Sequence, residues 1–371
     1  MDLNFKSLKF LLVTFFIFIT LDATAGKYIY KKFVREQLKD INPNFSERDE
    51  FFDHKFPKNF NAIGGWGNFR YKLCTDTNGF RSSCKNKNII SKKFDIAFIG
   101  DSFTEGLGYD YEKTFVGIIE KELSKKRVAN LSMSSYSPSI YYTKVKKLIS
   151  EGYKFNELIV FLDLSDLADD VLCYKVKSNE KVVRRSTFKT CFDNFNAKKK
   201  NKTLQLIERH LKFTNIFFEL INKKIFKIEG EKDTRFLNVI NHSRSEWTYN
   251  YNKKFFNDLE FNEVSKISER HMENLFELLD KNSIKLSIAV YPWPGTLKND
   301  QVKNAHVVLW KKFCENRCKK FYNFMPIFFD NFKSKNFYNT YKRFYIENDF
   351  HFNVYGNEFI AKSFLNEYKK N

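Results

Sequence analysis

Short apolar runs alternate with amphipathic stretches along most of the chain. Runs rich in β-branched and aromatic residues predict strands at Phe94–Ile99, Arg127–Leu131, Leu158–Leu162 and Lys285–Tyr291. At least one helical pattern separates each of these strands from the next. Such alternation is typical of a parallel sheet with helices on both faces. The pattern therefore predicts an α/β fold of three layers, α/β/α, around a mostly parallel sheet.

Two long segments lie outside this alternation. Residues 168–284 are too long for a simple crossover, and within them Leu204–Phe226 places apolar residues on one face of a helix. We interpret 168–284 as a helical insertion or cap within a main domain of residues 91–371, and not as a separate domain. Residues 27–90 are then an N-terminal lead-in packed on that domain.

The N-terminus has the composition of an export signal. Lys6 and Lys9 precede the apolar run Phe10–Leu21, which is shorter than the ~20 residues of a membrane span. The run resembles the core of a signal peptide, and Ala23–Ala25 offers a small-x-small cleavage site. If it is not cleaved, the same segment is a signal anchor. Residues 1–26 are therefore predicted to be a signal peptide or a signal anchor, and positive charge on both sides leaves the orientation open.

The overall charge invites a nucleic-acid hypothesis that the sequence does not support. The chain of 371 residues has a formal net charge of +20 at pH 7. Its lysines are scattered, and no recognised nucleic-acid-binding motif appears. An acidic partner, such as an anionic glycan or membrane headgroups, fits better with export. We therefore expect no nucleic-acid partner.

Cysteine placement also favours export. The six cysteines fall into three local pairs, which are Cys74 with Cys84, Cys173 with Cys191, and Cys314 with Cys318. Nearby pairs behind an export signal predict disulfides formed in an oxidising compartment. A zinc site is the competing interpretation, but the chain has no Cys-x-x-Cys and no histidine at ligand spacing near these pairs. Free buried thiols are a second alternative. We expect neither a metal nor a cofactor.

Catalytic chemistry is first suggested where the strand Phe94–Ile99 ends. It is followed by Gly100, Asp101 and Ser102, and then by a glycine-containing turn and a predicted helix. This order places a small hydroxyl at the carboxyl edge of a buried strand, facing a helix N-terminus. Backbone N–H groups there favour developing negative charge, which suits a nucleophile for acyl transfer.

A second signal lies close to the C-terminus. His351 stands just before a predicted helix for which Asn353 is a suitable N-cap, and Asp349 is close enough to orient its ring. Alone, Asp-x-His is more often a loop histidine beside a capping aspartate. Together with Ser102 at a strand edge, it predicts a Ser-His-Asp arrangement.

At these residues the chain resembles the SGNH/GDSL hydrolase superfamily. Gly100–Ser102 matches the first sequence block, Val128–Pro138 the second, Leu158–Leu167 the third, and Asp349–His351 the last. Tyr71–Arg81 resembles the lead-in of membrane-anchored bacterial members. The resemblance implies a flavodoxin-like SGNH hydrolase fold, a catalytic domain in the periplasm and an N-terminus in the inner membrane, or a secreted or periplasmic protein if the chain is cleaved near Ala25.

The resemblance also implies roles for individual residues. Ser102 would be the nucleophile, His351 the general base and then acid, and Asp349 the residue that orients the imidazole. The N–H groups of Ser102 and Ser135, with the Ser165 hydroxyl, would stabilise the oxyanion. Two of these positions depart from the family, which usually has Gly where Ser135 stands and Asn where Ser165 stands.

The expected activity is that of a serine esterase or an O-acyltransferase. Its substrate would be an acyl ester, most simply an acetyl ester, of a cell-envelope or secreted glycan. A degenerate SGNH-like envelope protein that binds glycan or scaffolds a complex is the alternative, and the serines at 135 and 165 motivate it.

Overall fold

The computed structural model describes residues 5–42, 45–85, 91–185, 210–217, 233–250, 259–333 and 336–370. The chain divides into two compact units. One comprises Met1–Ile41 with Asn196–Asp233, and the other comprises Asn42–Phe195 with Thr234–Asn371. The domain boundaries predicted from the sequence, at residues 26 and 90 and around 168–284, stay predictions.

The described strands and helices are named here in chain order. The strands are β1 (Glu47–Asp49), β2 (Asp53–Lys55), β3 (Asn61–Trp66), β4 (Phe69–Thr75), β5 (Arg81–Ser82), β6 (Lys93–Ile99), β7 (Val128–Asn130), β8 (Lys154–Leu162), β9 (Tyr174–Val176), β10 (Val182–Arg184), β11 (Lys285–Val290) and β12 (Lys320–Asn323). The helices are α1 (Phe5–Leu21), α2 (Lys27–Leu38), α3 (Ser102–Glu105), α4 (Phe115–Glu122), α5 (Pro138–Ser150), α6 (Asp166–Ala168), α7 (Thr234–Ile240), α8 (Ser243–Glu246), α9 (Phe261–Lys281), α10 (Pro294–Asn299), α11 (Ala305–Cys314), α12 (Met325–Phe332), α13 (Phe337–Phe344) and α14 (Val354–Tyr368).

The second unit is built around an eight-stranded sheet with the order β12-β11-β8-β6-β7-β5-β4-β3. The strands from β12 to β7 are parallel, while β5, β4 and β3 extend the sheet in antiparallel fashion. In chain order the parallel strands follow the flavodoxin-like arrangement 2-1-3-4-5. The predicted α/β class with a mostly parallel sheet is therefore confirmed. The predicted strands correspond to β6, β7, β8 and β11, whereas β12 was not predicted.

Burial explains why the central strands carry such apolar sequences. The last six residues of β8, Leu158 to Leu162 with Glu157 before them, are all buried, as expected for a parallel strand covered on both faces. Helices α4 and α14 pack on each other, as do α5 and α9. The face of α9 that carries Val264, Met272 and Leu275 is buried, and a capping box closes its N-terminus.

The lead-in joins the same sheet through β3, β4 and β5. Its centre is Arg81, which is fully buried. The guanidinium donates to the carbonyl oxygens of Lys72 (3.1 Å), Cys74 (3.2 Å) and Tyr109 (3.0 Å). A buried guanidinium needs such acceptors to offset its desolvation. This residue therefore ties the antiparallel strands to the loop that follows α3.

Two of the predicted disulfides lie in the described residues and are formed. Cys74 is bonded to Cys84, and Cys314 to Cys318. The four-residue spacing of the second pair is possible because Cys314 is the last residue of α11 and Cys318 lies beyond the helix. Cys191, the predicted partner of Cys173, lies outside the described residues.

Within the insertion, the predicted helix Leu204–Phe226 lies outside the described residues except for positions 210–217. The described remainder includes the β9–β10 hairpin, α7 and α8. Helix α9 then leads back to the sheet at β11.

The first unit contains the N-terminal apolar helix. The helical segment Lys6–Glu36 is long and apolar enough to cross a membrane. A signal sequence can have the same length and composition. A π-helical turn, Asp22–Gly26, interrupts this segment. The buried Asp22 carboxylate accepts hydrogen bonds from the N–H groups of Phe213 (3.1 Å) and Thr214 (2.6 Å). Asp22 is thus a contact between the two segments of this unit.

Candidate active site

The nucleophile candidate is held by a tight turn between β6 and α3. Ser102 is the first residue of α3, and the Asp101 side chain caps this helix by accepting a hydrogen bond from the Phe103 N–H at 3.0 Å. Glycine is required at position 100, because a Cβ there would lie 2.3 Å from Thr104 Oγ1 and 2.9 Å from the Phe161 carbonyl oxygen. The turn therefore presents Ser102 at the carboxyl edge of the sheet, between β6 and β8, where such folds bind ligands.

The structure brings Ser102, His351 and Asp349 together. Ser102 Oγ lies 2.8 Å from His351 Nε2, although the two residues are 249 positions apart. His351 Nδ1 lies 2.6 Å from Asp349 Oδ1. His351 is 3% exposed and Ser102 is 9% exposed. These contacts match the nucleophile, base and orienting carboxylate of a catalytic triad.

The loop before α14 holds the histidine and the carboxylate in place. The Tyr341 hydroxyl donates to the carbonyl oxygen of Ile346 at 2.7 Å, and the Asp349 N–H lies 2.9 Å from that hydroxyl. The Ile346 N–H donates to the His351 carbonyl at 2.9 Å. As predicted, the Asn353 side chain caps α14 by accepting from the Gly356 N–H at 3.0 Å. His351 is therefore fixed just before a capped helix.

Asp349 uses both of its carboxylate oxygens. Oδ1 accepts from the backbone N–H of His351 (2.8 Å) as well as from Nδ1, and Oδ2 accepts from Trp66 Nε1 at 2.8 Å. Burial opposes ionisation of Asp349. Electrostatic attraction to the His351 ring, the two His351 hydrogen bonds and the Trp66 hydrogen bond outweigh burial and hold the pKa of Asp349 below its ordinary value. The carboxylate therefore stays charged beside the imidazole.

Trp66 was not found by sequence reasoning. It ends β3 in the lead-in, 283 residues from Asp349, and it belongs to none of the four sequence blocks. A side chain contributed from so distant a strand has no local spacing signal.

The three oxyanion candidates, Ser102, Ser135 and Ser165, differ in the hydrogen bonds that their donor groups already make. Ser135 has φ +64°, in the left-handed region that favours glycine, the residue usual at this position in the superfamily. Its neighbour Ser134 donates both its N–H and its hydroxyl to Glu105 Oε2 at 2.6 Å, which attaches this loop to α3. Among the described residues, no hydrogen-bond acceptor pairs with the N–H groups of Ser102 and Ser135.

Ser165 is placed differently. Its hydroxyl donates to Asp163 Oδ1 at 2.7 Å, and its N–H donates to the same oxygen at 2.8 Å. A serine hydroxyl has one proton, so in this arrangement the Ser165 hydroxyl does not point a donor at substrate. Asp163 Oδ2 in turn accepts from the Tyr291 hydroxyl (2.9 Å) and Trp293 Nε1 (2.7 Å).

Asp166 of the third block and the two carboxylates that follow this block also bind protein groups. Asp166 Oδ2 accepts from the Asp163 N–H at 3.0 Å, and Asp169 forms a buried ion pair with Arg244 at 2.9 Å. Asp170 accepts from the Ser137 hydroxyl at 2.6 Å. Across the described ranges, no group of three or more His, Cys, Asp or Glu side chains is arranged to hold a metal ion.

Aromatic rings surround the histidine. Trp293 and Phe350 stack with centroids 4.1 Å apart, and the Phe103 ring lies 4.8 Å from that of His351. Trp66 meets the same imidazole edge-on at 5.2 Å. The segment Tyr291–Gly295 thus packs beside Phe350 through Trp293, and its Tyr291 and Trp293 side chains bind Asp163 of the third block. An apolar surround strengthens the electrostatic contacts within the triad.

Comparisons with known proteins give structural likeness without sequence matches. No protein-family model matches the sequence, and no curated protein sequence matches it. The chain is similar to the psychrotrophic esterase EstA from Pseudoalteromonas sp., with 9% identity and a TM-score of 0.39 over 76% of this chain and 98% of EstA. It is similar to Axe2, an acetylxylan esterase from Geobacillus stearothermophilus, with 11% identity and a TM-score of 0.38 over 74% of this chain and 93% of Axe2.

A GDSL-like lipase from Bacteroides thetaiotaomicron is also similar, with 11% identity and a TM-score of 0.35 over 75% of this chain and 88% of the lipase. The case for a function rests on the side chains around Ser102.

Proposed function

We propose that this protein is an SGNH-type serine esterase or O-acyltransferase that works through an acyl-enzyme on Ser102. One observation carries the proposal. Ser102 Oγ lies 2.8 Å from His351 Nε2, and His351 Nδ1 lies 2.6 Å from Asp349 Oδ1. A hydroxyl, a base and an orienting carboxylate in hydrogen-bond contact form an activated nucleophile.

These contacts support the following proton movements. His351 Nε2 takes the Ser102 proton as Oγ attacks the acyl carbonyl, and Asp349 stabilises the imidazolium that forms. The imidazolium then gives this proton to the leaving alcohol, which leaves an acyl ester on Ser102. In the second half, Nε2 takes a proton from water or from a sugar hydroxyl, and the acyl group passes to that oxygen. As the acyl bond to Oγ breaks, Nε2 returns this proton to Ser102. The same acyl-enzyme therefore serves hydrolysis and transfer.

The oxyanion would be stabilised by the N–H groups of Ser102 and Ser135. Both lack acceptors among the described residues, and Ser102 lies at a helix start. The sequence also predicted the Ser165 hydroxyl as a third donor. Its bond to Asp163 would have to break first. We therefore assign the oxyanion role to the two backbone groups.

The substrate would be an acyl ester, most simply an acetyl ester, of a cell-envelope or secreted glycan. Three features support this location and class: the apolar segment Lys6–Glu36, the disulfides Cys74–Cys84 and Cys314–Cys318, and the resemblance of Tyr71–Arg81 to the lead-in of membrane-anchored SGNH members. In this proposal the N-terminus anchors the protein in the inner membrane and the second unit lies in the periplasm.

A second candidate function is a glycan-binding or scaffolding protein without turnover. Ser165 favours it, because the side chain at the position of the usual Asn is bonded to Asp163. Losing an oxyanion donor costs about 10²–10³ in kcat in a serine hydrolase, which leaves room for a weak or inactive site.

The test compares turnover with transfer. The purified full-length chain is incubated with p-nitrophenyl acetate and an oligosaccharide acceptor, and free acetate and acetylated sugar are quantified by mass spectrometry. The proposal expects release of p-nitrophenol that is lost in Ser102→Ala and His351→Gln. The partition between acetate and acetylated sugar then separates esterase from transferase. Equal rates in the wild type and Ser102→Ala would support the binding protein instead.

A further inference from the structure

One side chain of the lead-in reaches the acid–base pair of the candidate site. Trp66 Nε1 lies 2.8 Å from Asp349 Oδ2, and the indole meets the His351 ring edge-on with centroids 5.2 Å apart and an interplanar angle of 83°. The same residue therefore touches both the carboxylate and the imidazole. Its contribution comes from β3, the outermost antiparallel strand of the sheet.

The local structure around Trp66 is tightly constrained. Trp66 pairs with Phe69 across the β3–β4 turn, where Gly67 has φ +53°. The indole packs over Gly108, at which a Cβ would lie 3.9 Å from Trp66 Cδ1. The Lys72 N–H binds Asp110 Oδ1 at 2.6 Å and joins β4 to the loop after α3. The hairpin is thus attached to the nucleophile's own loop.

The indole N–H gives the carboxylate a second fixed oxygen. Asp349 Oδ1 accepts two hydrogen bonds from His351, whereas Oδ2 accepts one from Trp66. With only Oδ1 held, the carboxylate could rotate about its Cβ–Cγ bond. With both oxygens held, it stays coplanar with its donors. A hydrogen bond to an ionised acceptor is also among the stronger hydrogen bonds in proteins.

We propose that Trp66 is a positioning residue of the catalytic site, acting through Asp349 on the basicity and orientation of His351. This inference rests on the proposed function. It makes the β3–β4 hairpin part of the catalytic machinery, in addition to its place at the edge of the sheet.

The test is Trp66→Phe, which removes the N–H and keeps an aromatic ring beside His351. Trp247→Phe is the matched control, because Trp247 Nε1 donates at the same 2.8 Å distance to the Leu164 carbonyl oxygen and its ring packs on Phe261. Both variants lose one indole hydrogen bond in the fold. Only Trp66→Phe loses one at Asp349.

For Trp66→Phe we expect kcat for p-nitrophenyl acetate to fall about tenfold with KM unchanged, as for a lost hydrogen bond to a charged group. The acid limb of the kcat/KM profile should move down by about 0.5 pH unit, because a less firmly held carboxylate supports the imidazolium less well. Trp247→Phe should leave both quantities as in the wild type. A Trp66→Phe profile that coincides with that of Trp247→Phe, or moves upward, would overturn the inference.

A second measurement separates this inference from the proposed function. The pKa of His351 is followed by NMR of ¹³C-histidine-labelled full-length protein, with His351→Gln identifying the signal. If the wild type shows no turnover but Trp66→Phe still lowers this pKa, the proposed function fails and the positioning role stands. If the wild type turns over and the His351 pKa is the same in both proteins, the positioning role fails alone.

Discussion

Replacing Asp349 with asparagine tests how the carboxylate works, because the change keeps the shape and replaces one acceptor with a donor. Asp349 accepts three hydrogen bonds, two at Oδ1 from His351 and one at Oδ2 from Trp66. An amide has one acceptor oxygen and one NH₂ group. No orientation of Asn at position 349 can therefore satisfy all three donors.

The two orientations fail in different ways. If the amide oxygen stays toward His351, the NH₂ group meets the Trp66 N–H, and two donors face each other. If the amide flips, the oxygen accepts from Trp66 but the NH₂ group faces the His351 backbone N–H. The flipped amide also donates to Nδ1, which moves the ring proton to Nε2. That tautomer cannot accept the Ser102 proton.

The magnitudes follow from these conflicts. An unsatisfied buried donor costs about 1–3 kcal/mol, so we expect Asp349→Asn to lower the unfolding free energy by that amount. Loss of the carboxylate charge and of the correct tautomer reduces kcat by about 10⁴ in a serine protease triad, and we expect a loss on the order of 10³–10⁴ here.

The decisive assay is a double variant. In the wild-type background, Trp66→Phe should lower kcat because it removes a hydrogen bond to Asp349. In the Asp349→Asn background, the same substitution removes the N–H donor that faces the NH₂ group of the amide. We therefore expect the double variant to be more stable than Asp349→Asn by about 1 kcal/mol. Because the same free energy favours the amide orientation with its oxygen toward His351, we also expect the double variant to be about fivefold more active. Asp330→Asn, at an exposed carboxylate beside Lys333, controls for the chemical change. A double variant that is less active than Asp349→Asn would show that the Trp66 N–H does not oppose the amide at position 349.

Asp349 also makes the free energy of unfolding depend on pH, in a direction that its pKa shift determines. The pKa of Asp349 in the folded protein is lowered below its ordinary value. Its ionisation therefore contributes stability above the unfolded pKa of about 3.9, and this contribution is lost as the pH falls through the lower folded value. In urea unfolding, the difference in unfolding free energy between wild type and Asp349→Asn should not narrow above about pH 5 and should narrow below pH 4. A difference that narrows between pH 5 and 7 would contradict this assignment.

Three further substitutions test other parts of the account. Ser135→Gly should raise the thermal midpoint, because a left-handed serine costs about 1 kcal/mol that glycine avoids, and a lower midpoint would count against this. Ser165→Ala should lower the unfolding free energy by about 1 kcal/mol through its lost bond to Asp163, without the ~10²-fold loss of kcat that marks an oxyanion donor. Cys84→Ser should cost about 2–4 kcal/mol in urea unfolding by releasing Cys74, and a stability unaffected by reductant in the wild type would show that this disulfide is absent.

The parallel part of the fold could be predicted from sequence because its strands are buried on both faces. Leu158–Leu162 reads as an uninterrupted apolar run for that reason. The edge strands gave weaker signals. β12 has four residues, Lys320–Asn323, of which three are only partly buried, and β3 contains two glycines. Short strands with one covered face have too few apolar positions to stand out.

The parts of the candidate site that could be predicted from the sequence are those whose functional residues lie next to one another in the chain. The Gly100–Ser102 turn and the Asp349–His351 pair are each carried by a few adjacent residues. Trp66 and the use of the Ser165 hydroxyl are not of this kind. The first depends on a contact across 283 positions, and the second on which oxygen of Asp163 faces the loop. The Trp66 contact and the Ser165 hydrogen bond both depend on tertiary packing, which the spacing of residues along the chain does not reveal.

The central claim is that Ser102 is a nucleophile activated by His351, and covalent labelling tests it most directly. The full-length protein is treated with a fluorophosphonate, and the adduct is located by peptide mass spectrometry beside a known serine hydrolase. The account predicts one phosphonylated residue, Ser102, with labelling abolished in Ser102→Ala and strongly slowed in His351→Gln. An unlabelled Ser102 under conditions that label the reference enzyme would contradict it.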